Sequence, residues 1–370
     1  MRFPEFTEEW KAEQLDNIAT LSKGIGISKE QLSEDGEPCI LYGELYTKYK
    51  SEIIKQVESK TDINGSKLKR SKANDVIIPC SGETAVDIAT ARCVPFDNIL
   101  FGGDLNVISL HQYDGAFMSY QLNGKRKYDI ARVAQGVSIV HLYGEHLKAI
   151  KTYNPTLPEQ QKIAKLLSLL EERIDTQNKI IEDLKKLKSA ISERLFKSVK
   201  GFTVLLSDLC DIVKGKQING ENLSDSGNYY VMNGGTEPSG YYDNYNVEAS
   251  TISISEGGNS CGYVQFNTSP FWSGGHCYSI QNIADKVDNM YLYHYLKSNE
   301  DAIMKLRIGS GLPNIQKKDL AMFKIIVPKI EWQIKISTFL SSLERKAEIE
   351  ERIQNVMQKQ KLYLLQQMFI

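Results

Sequence analysis

The chain repeats part of itself, and this repeat constrains the fold more than any other feature. Displaced by 173 positions, residues 155–197 align without a gap with residues 328–370, and 12 of the 43 positions are identical. A second displacement, of 191 positions, aligns residues 15–36 with 206–227. Repetition at fixed spacing is typical of one structural unit used twice. The sequence therefore predicts two halves that begin alike, end alike and differ in between.

The repeated segments that end each half read as long helices. Their apolar residues recur in steps of four and three, which is typical of a helix packed along one partner helix. The predicted seam residues are Ile163, Leu167, Leu170, Ile174, Ile181, Leu184, Ile191 and Leu195 in the first helix and Ile336, Leu340, Leu343, Ile353, Met357 and Leu364 in the second. Gln177 would face Glu350 or Gln354, either as a polar layer that fixes the register or as solvated positions. Each helix of about 40 residues would be about 60 Å long.

The segment that precedes each long helix reads as a β-rich domain. Asn-Gly pairs at 64–65, 123–124, 219–220 and 233–234 are typical of hairpin turns, and the apolar runs 76–78, 99–101, 251–254 and 263–266 are strand-like. We therefore predict an α+β protein in four parts. These are two β-rich domains, at 1–157 and 201–328, and two long helices, at 158–200 and 329–370.

Charge and composition exclude several classes of function. Lysine and arginine total 45 against 46 acidic residues, so DNA binding would need locally arranged positive charge. The six cysteines have no metal-finger spacing, and no phosphate loop, dinucleotide fingerprint or histidine triad is present. We predict no catalytic residue, no metal site and no cofactor in this chain. Without an apolar leader or a run of about 18 apolar residues, we expect a cytoplasmic protein with no membrane partner.

The two helix openings carry a family resemblance. Residues 155–164 read Pro-Thr-Leu-Pro-Glu-Gln-Gln-Lys-Ile-Ala, and residues 328–336 repeat them with departures at Trp332 and Ile334. Further matching motifs lie at 41–49, 136–138, 214–216, 233–236, 240–242, 255–258 and 309–314. With these motifs, in this order over almost the whole chain, the protein resembles the specificity (S) subunit of type I restriction-modification systems.

The resemblance implies a fold, a function and partners. Two target-recognition domains would be separated by an antiparallel pair of long helices with internal pseudo-two-fold symmetry. Each domain would read one half of a bipartite target in double-stranded DNA, and the helices would set the gap between the halves. Two methyltransferase (M) subunits would supply adenine methylation with S-adenosylmethionine. Two restriction (R) subunits would supply cleavage with ATP and Mg²⁺.

Two kinds of residue are the predicted DNA contacts. The first domain, of formal charge −2, concentrates basic residues in two clusters, which would bind phosphates unless they are only solvated hairpin tips. The second, of charge −4, offers amides, hydroxyls and histidine that could bond to base edges, although such residues also occur in glycan-binding domains and ordinary cores. The selected residues are Lys67, Lys69, Arg70, Lys125, Arg126, Lys216, Asn233, Tyr242, Asn259 and His276.

Alternatives stay open at this point. One is a coiled-coil adaptor whose β-rich units bind proteins or glycans. Another is a DNA-modifying enzyme that works alone. Within the restriction-modification reading, the chain could also serve a type II system or be a silent, recombining copy.

Overall fold

The computed structural model describes residues 2–64, 67–136, 138–309, 311 and 313–369. The chain divides into two compact units: Met1–Asn178 with Arg352–Ile370, and Lys179–Glu351. Each unit thus contains one β-rich region and part of both long helices. The predicted Asn64-Gly65 turn and the motifs at 136–138 and 309–314 include positions that lie outside the described residues. Among the described residues, no helix combines the length and apolar character needed to cross a bilayer.

The first unit is built on two four-stranded sheets. Its strands are β1 (Lys11–Gln14), β2 (Ala19–Lys23), β3 (Glu37–Ile40), β4 (Lys60–Thr61), β5 (Lys69–Arg70), β6 (Asp75–Pro79), β7 (Ser81–Gly82), β8 (Arg92–Val94), β9 (Leu100–Phe101), β10 (Leu105–Leu110), β11 (Val140–His141) and β12 (Lys151–Asn154). One sheet has the antiparallel order β2-β10-β6-β8, and the other has the order β4-β3-β9-β5 with β3 and β9 parallel. Strands β1 and β12 pair separately, as do β7 and β11.

Short helices cover these sheets. They are α1 (Leu15–Ile18), α2 (Glu44–Thr47), α3 (Ala85–Ile88), α4 (Gly115–Asn123), α5 (Lys127–Val133) and α6 (Gly144–Lys148). Every residue of β6 is buried, as expected for a central strand covered on both faces. Helix α4 packs on β6 and β8, and its residues Met118 and Leu122 belong to the same apolar core as Val76 and Ile78.

The second unit repeats this plan. After α7 (Leu157–Ser198) come β13 (Phe202–Leu205), β14 (Asp211–Lys214), β15 (Tyr229–Met232), β16 (Tyr241–Tyr242), β17 (Thr251–Ser255), β18 (Val264–Asn267), β19 (Trp272–Ser273), β20 (Cys277–Gln281), α8 (Asn289–Ser298), α9 (Glu300–Met304), α10 (Lys317–Ala321), β21 (Lys324–Val327) and α11 (Ile330–Gln367). The antiparallel sheet β14-β20-β17-β18 corresponds to β2-β10-β6-β8, and β16-β15-β19 corresponds to part of the mixed sheet. The predicted α+β class and the internal repeat are confirmed.

The two long helices run antiparallel within each unit. In the first unit, Ile163 and Leu167 near the start of α7 share a core with Leu364 and Phe369 near the end of the chain. In the second unit, Phe196 near the end of α7 shares a core with the start of α11, at Ile336 and Leu340. Each helix therefore begins in the core of one unit and ends in the core of the other.

The seam between the helices departs from the prediction at one position. All eight predicted positions of α7 are buried or half-buried, and so are Ile336, Leu340, Leu343, Met357 and Leu364 of α11. Between Leu343 and Met357, the steps of four and three pass through Ala347, Glu350 and Gln354, which are half-buried. Ile353 is 39% exposed, since it lies one residue, about 100°, away from that face. The assignment of Ile353 to the seam was wrong. It chose an apolar residue, whereas the polar neighbour Gln354 occupies the seam position.

Two glutamines explain why the helix openings repeat. The side chain of Gln160 accepts a bond from Asp114 N at 2.9 Å and donates one to Pro155 O at 2.8 Å. Gln333 makes the same two bonds, with Asp288 N and Pro328 O, both at 2.8 Å. Both glutamines are buried. Asp114 and Asp288 in turn cap α4 and α8, so each glutamine joins a long helix to the capped helix of its unit.

Candidate nucleic-acid interface

The same backbone hydrogen bonds hold four loops together in each unit. In the first unit they join Cys80 N to Asp104 O at 2.7 Å, Leu142 N to Cys80 O at 2.8 Å, Gly102 N to Ile40 O at 2.9 Å and Ile25 N to Phe101 O at 3.0 Å. In the second they join Glu256 N to His276 O, Ile315 N to Glu256 O, Gly274 N to Met232 O and Lys216 N to Ser273 O, all at 2.8 Å. These matched bonds pair positions of the two units one by one.

A glycine in each unit allows the loops to meet. A Cβ atom on Gly24 would lie 1.9 Å from Gly102 O, and one on Gly215 would lie 2.1 Å from Gly274 O. Because no side chain fits there, both positions require glycine. This contact accounts for the Lys-Gly dipeptides 23–24 and 214–215 that the sequence repeat aligns.

In the second unit, four of the five predicted DNA contacts surround the turn at 272–277. The backbone carbonyl of Lys216 accepts a hydrogen bond from the Trp272 indole at 2.9 Å, and Tyr242 packs edge-on against that indole with ring centroids 5.1 Å apart. The Asn233 side chain accepts a bond from His276 N at 3.0 Å. Lys216 and His276 are exposed, whereas Asn233 and Tyr242 are half-buried. The structure therefore brings these four residues to one surface.

The fifth residue, Asn259, is exposed on the loop after β17. In the same loop a Cβ atom on Gly257 would lie 3.9 Å from His276 Nδ1, so the loop borders that surface. Beneath it, the buried carboxylate of Glu256 accepts bonds from Lys214 Nζ at 2.7 Å and Tyr278 Oη at 2.9 Å. Glu256 is a support residue that the composition did not single out.

In the first unit, the predicted basic residues lie on two different substructures. Lys69 and Arg70 form β5 at the edge of the mixed sheet, and Lys67 is exposed just before it. Arg70 makes a two-pronged ion pair with Glu37 at 2.6 and 3.0 Å, and this bonding raises its pKa.

Lys125 and Arg126 instead follow α4. Lys125 is exposed, while the Arg126 guanidinium pairs with Asp129 at 3.1 Å and lies 5.2 Å from the ring centre of Tyr153. Arg70 and Arg126 are thus engaged within the chain. The assignment of the five basic residues to DNA stays a prediction.

The matched loops of the first unit, with α2 and α3, border an open cavity of about 990 Å³ that the sequence analysis missed. Its lining includes Tyr42, Glu83, Asp104 and His141. By the matched bonds, these residues occupy the positions of Gly234, Asn259, His276 and Asn314 in the second unit. The sequence offered no signal for them, because the 191-position repeat ends at residue 36 and the loops beyond it are matched only by their hydrogen bonds. None of the five predicted basic residues is among the described residues that line the cavity.

Two devices used in catalysis, a metal centre and a reactive thiol, are absent among the described residues. No group of three or more histidine, cysteine or acidic side chains among them could hold a metal ion. All six cysteines are buried, and burial raises the pKa of the Cys93 and Cys210 thiols to about 12, which disfavours the nucleophilic thiolate. The arrangement in each unit is a rigid frame beneath exposed polar loops, which is suited to binding.

Comparison with known proteins gives consistent relatives. A family model described as "Type I restriction modification DNA specificity domain" matches residues 7–186 and 201–359. A putative type I specificity subunit of Mycoplasma genitalium is 34% identical over 122 residues, which are 32% of this chain and 31% of that protein. The specificity subunit of the type I restriction enzyme MjaVIII of Methanocaldococcus jannaschii is 23% identical over 403 residues, covering 96% of this chain and 90% of the relative.

A solved structure shares the whole fold. The crystal structure of a type I restriction-modification S subunit from M. genitalium matches with a TM-score of 0.70 at 19% identity, over 100% of this chain and 97% of that one. A second putative type I specificity subunit, from Mycoplasma pneumoniae, is 32% identical over 145 residues. The segments that match these two mycoplasma relatives span only about a third of the relatives' length, 31% and 38%.

Proposed function

Because the chain belongs to the type I restriction modification DNA specificity domain family, we propose that it binds double-stranded DNA and recognises a target in two halves, one for each unit. The family resemblance found in the sequence is thereby confirmed. The adaptor hypothesis is not favoured, since the family model matches both β-rich regions.

One observation supports this function above the others. The two units share their internal hydrogen bonds pair by pair, yet the exposed residues on the matched loops differ, as Asp104 differs from His276 and Glu83 from Asn259. A common frame with different exposed side chains is what two readers of different base sequences require, because bases are distinguished by hydrogen-bonding side chains at the groove.

A genome-wide map of N6-methyladenine tests the proposal. It would be recorded with and without this chain, in cells that carry the methyltransferase subunit of the same system. We expect one split motif with a fixed internal gap to disappear when the chain is removed. An unchanged map, with the chain expressed and bound to that methyltransferase subunit, would contradict the proposed function.

We further propose that the long helices bind two copies of the methyltransferase subunit. Beside the internal seam, each helix exposes a second row of apolar residues: Leu166, Leu169, Ile180 and Leu187 on α7, and Phe339, Ile349, Ile353, Val356 and Tyr363 on α11. Leu166 and Phe339 are equivalent in the repeat, and so are Ile180 and Ile353, which are identical and each 39% exposed. Equivalent apolar rows on two helices suit two copies of one partner.

This partner assignment has its own test. Replacing Ile180 and Ile353 by serine should weaken co-purification of the methyltransferase subunit while leaving the fold intact, since both side chains lie outside the seam. Serine at Lys179 and Arg352, the exposed neighbouring positions, is the matched control. Unimpaired co-purification of the Ile180→Ser, Ile353→Ser variant would remove this surface from the proposal.

The chemistry of the complex would belong to its partners. We propose that this chain is not itself an enzyme, that S-adenosylmethionine binds the two methyltransferase subunits, and that ATP and Mg²⁺ serve two restriction subunits. The complex would act in the cytoplasm. If purified chain alone bound radiolabelled S-adenosylmethionine, the hypothesis of a self-sufficient enzyme would replace this division of labour.

A further inference from the structure

We propose that the first unit reads its half-site through the cavity lined by Tyr42, Glu83, Asp104 and His141, and that Glu83 and Asp104 select base pairs presenting an amino group, above all cytosine. The inference rests on the proposed function and deepens it. It also moves the reading surface of the first unit away from the basic clusters at 67–70 and 125–126.

The position of the cavity follows from the matched loops. Asp104 O bonds to Cys80 N as His276 O bonds to Glu256 N, so Asp104 and His276 occupy equivalent sites. His141 exchanges two backbone bonds with Gln135 at 2.8 and 2.7 Å, as Asn314 does with Ile308 at 2.8 and 3.0 Å. Of the four predicted contacts on the surface in the second unit, His276 has its counterpart, Asp104, in the lining of the cavity. The cavity therefore adjoins the equivalent of that surface, with His141 at the position of Asn314.

Several features make this cavity suited to a base edge. Glu83, Asp104 and His141 are exposed, and Tyr42 is 39% exposed, so their polar atoms are accessible. Hydrogen bonds fix the floor of the cavity, because Tyr46 donates one to Ser81 O at 3.2 Å and the pairing of β7 with β11 holds His141 beside the loop that carries Glu83. Lys50, also in the lining and exposed, supplies a cation for a neighbouring phosphate.

The side chains of the two units predict different base preferences. A carboxylate only accepts hydrogen bonds, so in the major groove it favours the N4 amino group of cytosine and is repelled by the acceptors of guanine and thymine. Adenine places its N7 acceptor beside its amino group, which makes it the poorer partner. The second unit has Asn259 and Asn314 at the positions of Glu83 and His141, and asparagine amides suit adenine.

Reciprocal substitutions test the inference. Glu83→Gln and Asp104→Asn remove the charge but keep the size, and asparagine tolerates the left-handed backbone of Asp104, whose φ is 59°. Asn259→Asp is the matched variant in the second unit. Lys69→Ala with Arg70→Ala tests the competing basic cluster. Each full-length variant would be expressed with the methyltransferase subunit and its N6-methyladenine motif mapped.

We expect Glu83→Gln or Asp104→Asn to relax a C·G pair in one half of the motif, with discrimination there falling about ten- to a hundredfold. Asn259→Asp should alter only the other half. Retained recognition of the unaltered half shows that each variant is folded.

Unchanged base preference in both Glu83→Gln and Asp104→Asn would overturn the inference, as would a change of base preference confined to the Lys69→Ala, Arg70→Ala variant. Weaker methylation with an unchanged motif in that variant fits phosphate contacts and leaves the inference standing. If the unmodified chain directs no split motif, the proposed function itself fails, which is a different result from either.

Discussion

The same ion pair occurs in both units, but in different surroundings. Lys361 lies 2.6 Å from Glu171 in the first unit, and Lys188 lies 2.5 Å from Glu344 in the second. Both lysines and both glutamates are equivalent in the 173-position repeat. The Glu171 side chain is only 5% exposed, whereas that of Glu344 is 27% exposed. A repeated pair of residues therefore need not contribute equally to the stability of the two units.

The residues around each ion pair account for the difference in burial. In the first unit Lys361 also contacts Glu52 at 2.8 Å, so one ammonium group serves two buried carboxyl groups. Burial and the neighbouring Glu52 raise the pKa of Glu171 to about 7. In the second unit no second carboxylate is bonded to Lys188 among the described residues. There Glu344 accepts a bond from Tyr293 Oη at 3.2 Å, and nearby His294 bonds to Ser341.

Of the substitutions considered, Lys361→Met should have the largest effect on stability, and it should act on the first unit alone. Removing the ammonium group leaves Glu52 and Glu171 buried without their shared cation, and such losses destabilise a protein by about 3–5 kcal/mol. We expect the first unit to unfold at a lower urea concentration. The ¹⁹F resonance of fluorotryptophan at Trp10, the one tryptophan of that unit, monitors this transition. An unfolding midpoint equal to that of the unmodified chain would show that the carboxyl groups find other partners.

The units should respond to pH in opposite directions. Folded Glu171 keeps its proton up to about pH 7 although its ordinary pKa is 4.5, so its contribution is present at low pH and lost as pH rises from about 4.5 to 7. Burial lowers the pKa of His294 from 6.5 to about 4, so its contribution is present above pH 6.5 and lost as pH falls towards 4.

Urea unfolding at pH 5 and pH 6.5 measures, for each unit, the slope of the unfolding free energy against pH. Fluorotryptophan at Trp10 reports on the first unit and fluorotryptophan at Trp272 on the second. Between these two pH values, the effect of Glu171 should reach at most about 2 kcal/mol. Glu171→Gln should remove the slope seen at Trp10 and leave that at Trp272 unchanged. Slopes of the same sign in both units of the unmodified chain would contradict the contrast.

The two buried glutamines extend the comparison, because they share two hydrogen bonds and differ in a third. Gln160→Leu and Gln333→Leu each leave a backbone N–H and a carbonyl group without a partner, which costs about 2 kcal/mol. Gln333 also donates a bond to Lys286 O at 3.0 Å, so we expect Gln333→Leu to destabilise the second unit at least as much as Gln160→Leu destabilises the first. Gln161→Leu, at an exposed neighbour, is the control in the same urea experiment. A smaller loss for Gln333→Leu than for Gln160→Leu would contradict this expectation.

Lys188→Met should have the smallest effect, below about 1 kcal/mol. Glu344 keeps its hydrogen bond from Tyr293 and partial access to water, so the loss of this half-buried ion pair changes little. The urea midpoint reported by Trp272 measures it. A loss as large as that of Lys361→Met would mean that burial does not distinguish the two pairs.

Much of the frame could be predicted from the sequence, because it depends on local periodicity. The helices observed at Leu157–Ser198 and Ile330–Gln367 lie where steps of four and three predicted them. The error at Ile353 arose within that same pattern. Displaced by 173 positions, Ile353 aligns with exposed Ile180 and not with buried Ile181, so the repeat itself contained the correction.

Turns were predicted less well. Asn123-Gly124 ends helix α4, and Asn219-Gly220 begins a 3-10 turn, so the prediction of hairpins there was wrong. Asn233-Gly234 does follow a strand, with Gly234 at a φ of 86°. An Asn-Gly pair favours the left-handed backbone of a hairpin turn, but Gly124 has a φ of −87° and Asn219 a φ of −74°. The same dipeptide thus occurs in a hairpin or at a helix end. Only the flanking structure distinguishes the two.

The sequence by itself determined the duplication, the β-rich class of the variable regions and the family. It also determined the apolar seam of the antiparallel helix pair, apart from Ile353. These follow from spacing along the chain, which is local or repeats at fixed distance. Tertiary structure alone decided which loops meet, how deeply each repeated ion pair is buried, and that Tyr42, Glu83, Asp104 and His141 share a cavity. Those residues are as much as 99 positions apart, and hydrogen bonds between loops, which leave no periodic trace in the sequence, bring them together.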